Sequence, residues 1–434
     1  MKVTILGGGL AAISLAYELQ KRKEIENITI LEKEETLGGL CRSYDLNGVK
    51  YDAGPHIIFS KDQEVLELMK NLLEGNIHQT RRSNRIIHKG ILVQYPFEND
   101  LSKLPLEDKE LAVNAFVHNP YENYEPKNML QFFLKTFGEG ITNLYLRPYN
   151  EKIWKFDPSF MNTKMVDRIP KPPKEDILRS ANGETVDGYL HQLYFNYPNE
   201  GATFSLIQSY LNKLTDKVSV ITGCNLKEIE KNSNEYVIKY NKKEIKCDRI
   251  VSTIPICELV DLVKDEEQNI QKVAKDLKYN SIMIITIQVS KDLAGDNFAF
   301  MVADKDVIFH RISKIDFLGE KYHKNNTVTY MAEITYREKD INDMKTDEEI
   351  VDSVVQGLKK INFIDDETSI IDSDIIRFKY AYVVYDLNHQ QNMDILRKHY
   401  TKMGIYLHGR FGDFEYLNMD QVIRKSIDQG KDFK

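Results

Sequence analysis

Apolar positions cluster at the very start of the chain, where Val3, Ile5 and Leu6 form a short strand-like run that stops at Gly7-Gly8-Gly9. After the glycines, Ile13, Leu15, Ala16 and Leu19 recur at helical spacing and predict a helix over about 11–23 with one buried face. A second apolar run, Ile28-Thr29-Ile30-Leu31, predicts a strand that ends at Glu32. Together these make a βαβ unit, the connection that two parallel strands require. From about Val65 to Gly188 the pattern reads mostly helical, with loops at Pro96, Pro120, Pro148 and the Pro170-Lys171-Pro172-Pro173 stretch. Short β-rich runs return over 218–255, and strand-like alternation continues over 281–335, as in Ile282-Met283-Ile284-Ile285-Thr286-Ile287. A helix near 347–360 and further strands precede a C-terminal segment and a last helix. No repeat and no low-complexity linker is visible, so interleaved domains are expected.

Composition narrows the class. At 434 residues the chain is expected to form two or three domains around more than one core. Its 42% hydrophobic and 29% charged residues suit a soluble globular protein, and the net charge of −7 argues against a general nucleic-acid binder. No stretch approaches the roughly 20 apolar residues that span a bilayer, so no membrane insertion is expected. The N-terminus lacks a signal-peptide pattern. Cys41, Cys224, Cys247 and Cys257 show no metal-ligand spacing and no disulfide framework. A reduced, cytoplasmic enzyme without a metal is the expectation.

The candidate chemistry begins at the glycines. Gly7, Gly9 and Ala12 fit the Gly-x-Gly-x-x-Ala fingerprint, which lets a pyrophosphate sit against a helix N-terminus. Glu32, 23 positions after Gly9, stands where an acid accepts hydrogen bonds from a ribose. A glycine turn alone is a weak signal, and a tight turn with no ligand is the plainer reading. The strand–turn–helix context with its acid in place favours a dinucleotide. Leu37-Gly38-Gly39-Leu40-Cys41-Arg42-Ser43 then offers Gly38, Gly39 and the Arg42 guanidinium to phosphates. This arrangement resembles the FAD-binding core shared by amine oxidases, protoporphyrinogen oxidases and UDP-galactopyranose mutases. In that resemblance Val220 contacts the adenosine half.

Further segments choose among these flavoproteins. Asp52 to Phe59 contains His56 in a Gly-Pro-His loop; Tyr95-Pro96-Phe97-Glu98-Asn99 and Leu146 to Trp154 follow, then Asp167-Arg168-Ile169-Pro170, Phe309-His310-Arg311, Tyr382, and Gly409 to Asp420. In this order they resemble UDP-galactopyranose mutases, with Glu98 where glutamine is usual and Asn418 where aspartate is common. The resemblance implies an α/β fold: a FAD-binding Rossmann-like domain (1–70, 200–258 and 400–434), an interleaved, mainly helical substrate and dimer domain (71–199), and an antiparallel β-sheet substrate domain (259–399). It implies a homodimer, FAD active in its reduced form, NADPH as a candidate reductant, and a role in cell-surface polysaccharide biosynthesis. The implied reaction converts the pyranose and furanose forms of a nucleotide sugar, UDP-galactose or a relative, through a covalent N5-flavin–sugar adduct. His56, Arg168, Arg311 and Arg410 are the implied catalytic residues. Tyr95, Tyr149, Asn150, Trp154, Arg168, Arg311, Tyr382 and Tyr416 would bind substrate, and His56, Arg410, Asn418 and Met419 would join the flavin site.

Each residue also has a plainer reading. His56 could be an ordinary turn histidine, Trp154 a core anchor, Arg168 a surface charge and Tyr382 simple strand packing. Glu98 fits least, since a carboxylate facing a phosphate repels it. Two other functions stay open: an FAD-dependent, amine-oxidase-like oxidoreductase, and a nucleotide-binding protein without turnover. The arginines and tyrosines suit a diphosphate better than a hydrophobic amine, and fold alone cannot separate these readings.

Overall fold

The computed structural model describes residues 1–434 except 170, 185, 187–192, 234, 325, 341, 342 and 344, and of residues 167 and 168 only the backbone. Two sheets organise these residues. The first holds five parallel strands in the order Ile405–Leu407, Arg249–Ser252, Lys2–Leu6, Asn27–Leu31, Val218–Ile221. Its members come from three distant parts of the chain. Ile5, Leu6, Ile28 and Ile30 are at most 1% exposed, which explains why these strands read as continuous apolar runs.

The first helix, Leu10–Leu19, ends four residues before the sequence pattern suggested, because Lys21-Arg22-Lys23 has no apolar surface to bury. The last helix, Met419–Asp432, lies against it. Ser14 Oγ and Ser426 Oγ are 2.7 Å apart, and a Cβ at Gly430 would come within 2.6 Å of Glu18 Cβ. The two ends of the chain are therefore one packed unit.

The second sheet has seven strands in the order Ile370–Val384, Lys278–Val289, Val328–Tyr336, Arg311–Lys314, Ala299–Val302, Asn84–His88, Ile91–Gln94. All pairs are antiparallel except Ala299–Val302 with Asn84–His88. In Lys278–Val289 the alternate side chains Met283, Ile285 and Ile287 meet Ile350, Val354 and Leu358 of the helix Asp347–Lys360. Ile282 and Ile284 belong to the main core on the other face. Helix capping at Thr346 and Glu349 sets where the covering helix starts.

The stretch read as mostly helical departs from that expectation. It carries the helices Leu106–Val117, Met129–Ile141 and Arg147–Trp154, but also the strands His78–Arg81, Asn84–His88 and Ile91–Gln94. Lys89 and Gly90, with φ of 48° and 80°, form the two-residue turn of a hairpin in which His88 pairs with Ile91. Short apolar runs flanking that glycine were the available signal.

Candidate active site

A cleft of about 740 Å³ runs along the carboxyl ends of the first sheet and opens against the second. At its closed end two glycine pairs meet. Gly38 N donates to Gly8 O at 2.8 Å, and a Cβ at Gly39 would lie 3.1 Å from Gly9 Cα. Gly7 adopts φ +94°, and a side chain there would reach Thr253 Oγ1 at 2.6 Å. The backbone is thus bare where a pyrophosphate would lie. Glu32 Oε2 accepts from Gly8 N at 2.5 Å and Oε1 accepts from Glu34 N at 2.9 Å, which aims the carboxylate along the cleft edge. Arg42 lines the same wall, its Nε donating to Gly39 O at 3.1 Å.

The far half of the cleft is cationic and phenolic. Arg410 lies 4.2 Å from the Tyr416 ring centroid, Nη1 donates to Leu417 O at 3.2 Å and Nη2 to Ala381 O at 2.5 Å. Tyr416 stacks on Tyr382 with centroids 5.6 Å apart. Arg311 pairs with Glu333, Nη2 to Oε2 at 2.6 Å and Nε to Oε1. Burial opposes the Arg311 charge, yet the Glu333 carboxylate outweighs it and holds the guanidinium above its usual range. Burial, aided by the Arg410 and Arg311 charges, lowers His56 to about 4, so the ring is neutral at pH 7. Its Nδ1 meets no partner among the described residues, and its carbonyl accepts from Thr203 Oγ1 at 3.2 Å. That threonine is in turn fixed by buried Asp52, whose Oδ2 also accepts from Tyr197 at 2.6 Å.

A bare glycine cradle, an acid at the ribose position and a cleft extending past it to neutral His56 fit a flavin dinucleotide. Against known proteins, the sequence profile of the flavin containing amine oxidoreductases matches residues 9–407. The chain belongs to this family.

Individual relatives are distant. Over 177 residues the chain is 23% identical to protoporphyrinogen oxidase 2, chloroplastic/mitochondrial, of Arabidopsis thaliana, a match that covers 38% of this chain and 34% of the relative. Over 179 residues it is 26% identical to UDP-galactopyranose mutase of Mycoplasma pneumoniae, covering 36% of this chain and 42% of that one. Both matches span less than half of the relatives' own lengths. The fold is that of a reduced UDP-galactopyranose mutase crystal structure, with a TM-score of 0.90 at 23% identity over 99% of this chain and 94% of the other.

Within this flavin family fold, the expected site residues separate into three groups. Gly7, Gly9, Glu32, Gly38, Gly39, Arg42, His56, Tyr95, Arg311, Tyr382, Arg410, Tyr416, Asn418 and Met419 all line the cleft. A second group lies outside its wall. Ala12 is fully buried in the first helix, and Val220 sits on an edge strand, 38% exposed; Cys224 and Asn225 line the cleft where Val220 was expected. Tyr149, Asn150 and Trp154 stand one layer back. Trp154 meets Tyr382 and Tyr416 edge-on at 5.8 and 5.7 Å, and its Nε1 donates to Asn150 Oδ1 at 3.0 Å. Trp154 backs the two tyrosines from the same core as Ile282 and Ile284, while Tyr149 stacks on Tyr145 with ring centroids 5.3 Å apart. The third case is Arg168, which ends the 3-10 turn Thr163–Arg168; its side chain lies outside the described residues.

Glu98 is 3% exposed and does not line the cleft, which removes the conflict with a phosphate. Burial raises its carboxyl to about 7. Sequence reasoning overlooked Arg82 and Asn84, which line the cleft beside Tyr95. Nothing in their spacing marks them.

Proposed function

We propose that the protein interconverts the pyranose and furanose forms of a nucleotide sugar, UDP-galactose or a relative, with no net oxidation. One observation carries this reading: Arg311, Arg410, Tyr382 and Tyr416 converge in the cleft that also holds the dinucleotide cradle. Such a cluster is matched to a diphosphate, since charge-assisted hydrogen bonds from guanidinium and phenol stabilise phosphate oxygens as negative charge grows on a leaving group. An apolar amine would offer this cationic and phenolic lining no anion to bind.

A reduced flavin bound in the cleft supplies electron density toward the anomeric carbon. This chain's residues do the rest. Arg311, oriented by Glu333, and the stacked pair Tyr382 and Tyr416 hold the departing nucleoside diphosphate close enough to return. Arg410 is held by two carbonyls and lies against Tyr416, so its charge is directed at the same oxygens. His56, kept neutral by burial, presents an uncharged ring to the sugar. Trp154, through its contacts with both tyrosines, keeps their rings from tilting. Arg168 is proposed as a further phosphate cation.

The decisive measurement is to incubate dithionite-reduced holoenzyme with UDP-galactose and other nucleotide sugars and follow ring-form interconversion. Turnover after reduction, with no stoichiometric acceptor consumed, supports the mutase. A second reading, an oxidoreductase, draws on the family match and on the likeness to protoporphyrinogen oxidase 2. Steady oxygen consumption with each product formed, and no ring interconversion, would establish that reading instead.

A further inference from the structure

The arginines of the cleft differ in how their charges are met. Arg311 has Glu333, Arg410 has the carbonyls of Ala381 and Leu417, and neighbouring Arg85 donates from Nε to Asn297 Oδ1 at 3.0 Å. Arg82 has none of this. Its Nε and Nη2 are buried and meet no acceptor among the described residues; its guanidinium carbon lies 5.0 Å from the Phe59 ring centroid. Two positions on, Asn84 Oδ1 is likewise buried without a donor. Both side chains line the cleft. Both residues are partly exposed to the cleft, yet these three buried polar atoms lack the partners that such atoms almost always have, so the pair is arranged for a ligand.

The location says which part of the ligand. Arg82 packs on Phe59, three residues after His56 in the same loop, and its guanidinium feels the charge of Arg311. A diphosphate held by Arg311, Arg410 and the tyrosines leaves the sugar toward His56 and Arg82. Burial, together with the like charge of Arg311, disfavours the Arg82 cation, and an anion bound beside it would offset that cost.

We infer that Arg82 and Asn84 form a carboxylate subsite, so that the preferred substrate is a nucleotide-linked hexuronic acid and not a neutral hexose. The guanidinium fork takes the carboxylate at the sugar's C6, and Asn84 Oδ1 accepts from an adjacent hydroxyl. This rests on the mutase reading of the cleft.

The test is equilibrium binding by calorimetry to the flavin-loaded protein, using UDP, UDP-galactose and UDP-galacturonate, with Arg82→Met and Arg82→Lys variants checked for flavin content and melting temperature. The native protein is expected to bind the uronate at least about tenfold more tightly than UDP-galactose, as a charge-assisted pair allows. In Arg82→Met that preference should collapse while UDP affinity stays unchanged; Arg82→Lys should keep part of it. Equal affinity of the native protein for the two sugars overturns the subsite. So does an equal loss of UDP affinity in Arg82→Met, which would make Arg82 a phosphate ligand. Failure of the native protein to bind any of the three would instead remove the mutase reading.

Discussion

Arg311 and Glu333 face each other across adjacent antiparallel strands, and Arg311 Nη2 donates to Glu333 Oε2 at 2.6 Å. The glutamate is 1% exposed, while the arginine keeps an opening onto the cleft. The sheet register therefore delivers a cation to the site and prevents it from turning away. Glu333→Gln leaves that cation without its counter-charge, and a loss of about 3 kcal/mol in folding stability is expected, as for breaking a buried ion pair. Chemical denaturation measures it; an unchanged midpoint would mean that solvent already neutralises Arg311.

Arg410 is placed by carbonyls, not by a carboxylate, so its charge is free to act on a ligand. Arg410→Ala should lower mutase turnover by about 10²–10³-fold, the usual effect of removing one donor to a developing anion, with flavin content retained. Intact turnover in that variant would show that the site is assigned wrongly.

Gly39 combines φ +56° with a backbone approach to Gly9 that a methyl group would narrow to 3.1 Å. Gly39→Ala is expected to widen the cradle and cost flavin binding before it costs the fold. The ratio of flavin absorbance to protein after purification reports this, with circular dichroism as the control. A full complement of flavin in the variant would show that the two glycine runs do not need to touch.

Burial raises the Glu98 carboxyl from 4.5 to about 7. The folded chain thus holds this proton more tightly than the unfolded chain. The associated stability is complete below about pH 4.5 and is lost as pH rises through about 7. Glu98→Gln removes the titration, so the variant should exceed the native protein by up to about 3 kcal/mol near pH 8. The gap should close toward pH 4.5. Thermal melts at the two pH values test this, and a pH-independent gap would contradict it.

The legible parts of the site are local ones. Strand, glycine turn, helix and Glu32 lie within the first 32 residues, and their spacing encodes one side of the cradle. The motif from Gly409 to Asp420 was also readable, and the cleft is lined by Arg410, Tyr416, Asn418 and Met419 from it. Two features were not legible. The hairpin at Lys89-Gly90 was absorbed into a helical stretch, because short apolar runs carry weak periodicity. Trp154, Tyr149 and Asn150 were expected at the ligand because aromatic and amide side chains suit one; they do not line the cleft, and Trp154 reaches it only through Tyr382 and Tyr416, a layering that residue type does not encode.

By itself, the sequence determined the nucleotide turn, its acid and the chemical kind of the residues near the C-terminus, because each depends on neighbours a few positions away. Only the tertiary structure decided which charges share the cleft. Arg82 stands between strands of two different sheets, Arg311 on a sheet strand and Arg410 after the last parallel strand, and no spacing along the chain relates them. Whether each is paired with Glu333, with carbonyls or with no described residue is set by strand register and burial, and those arise only when the two sheets come together.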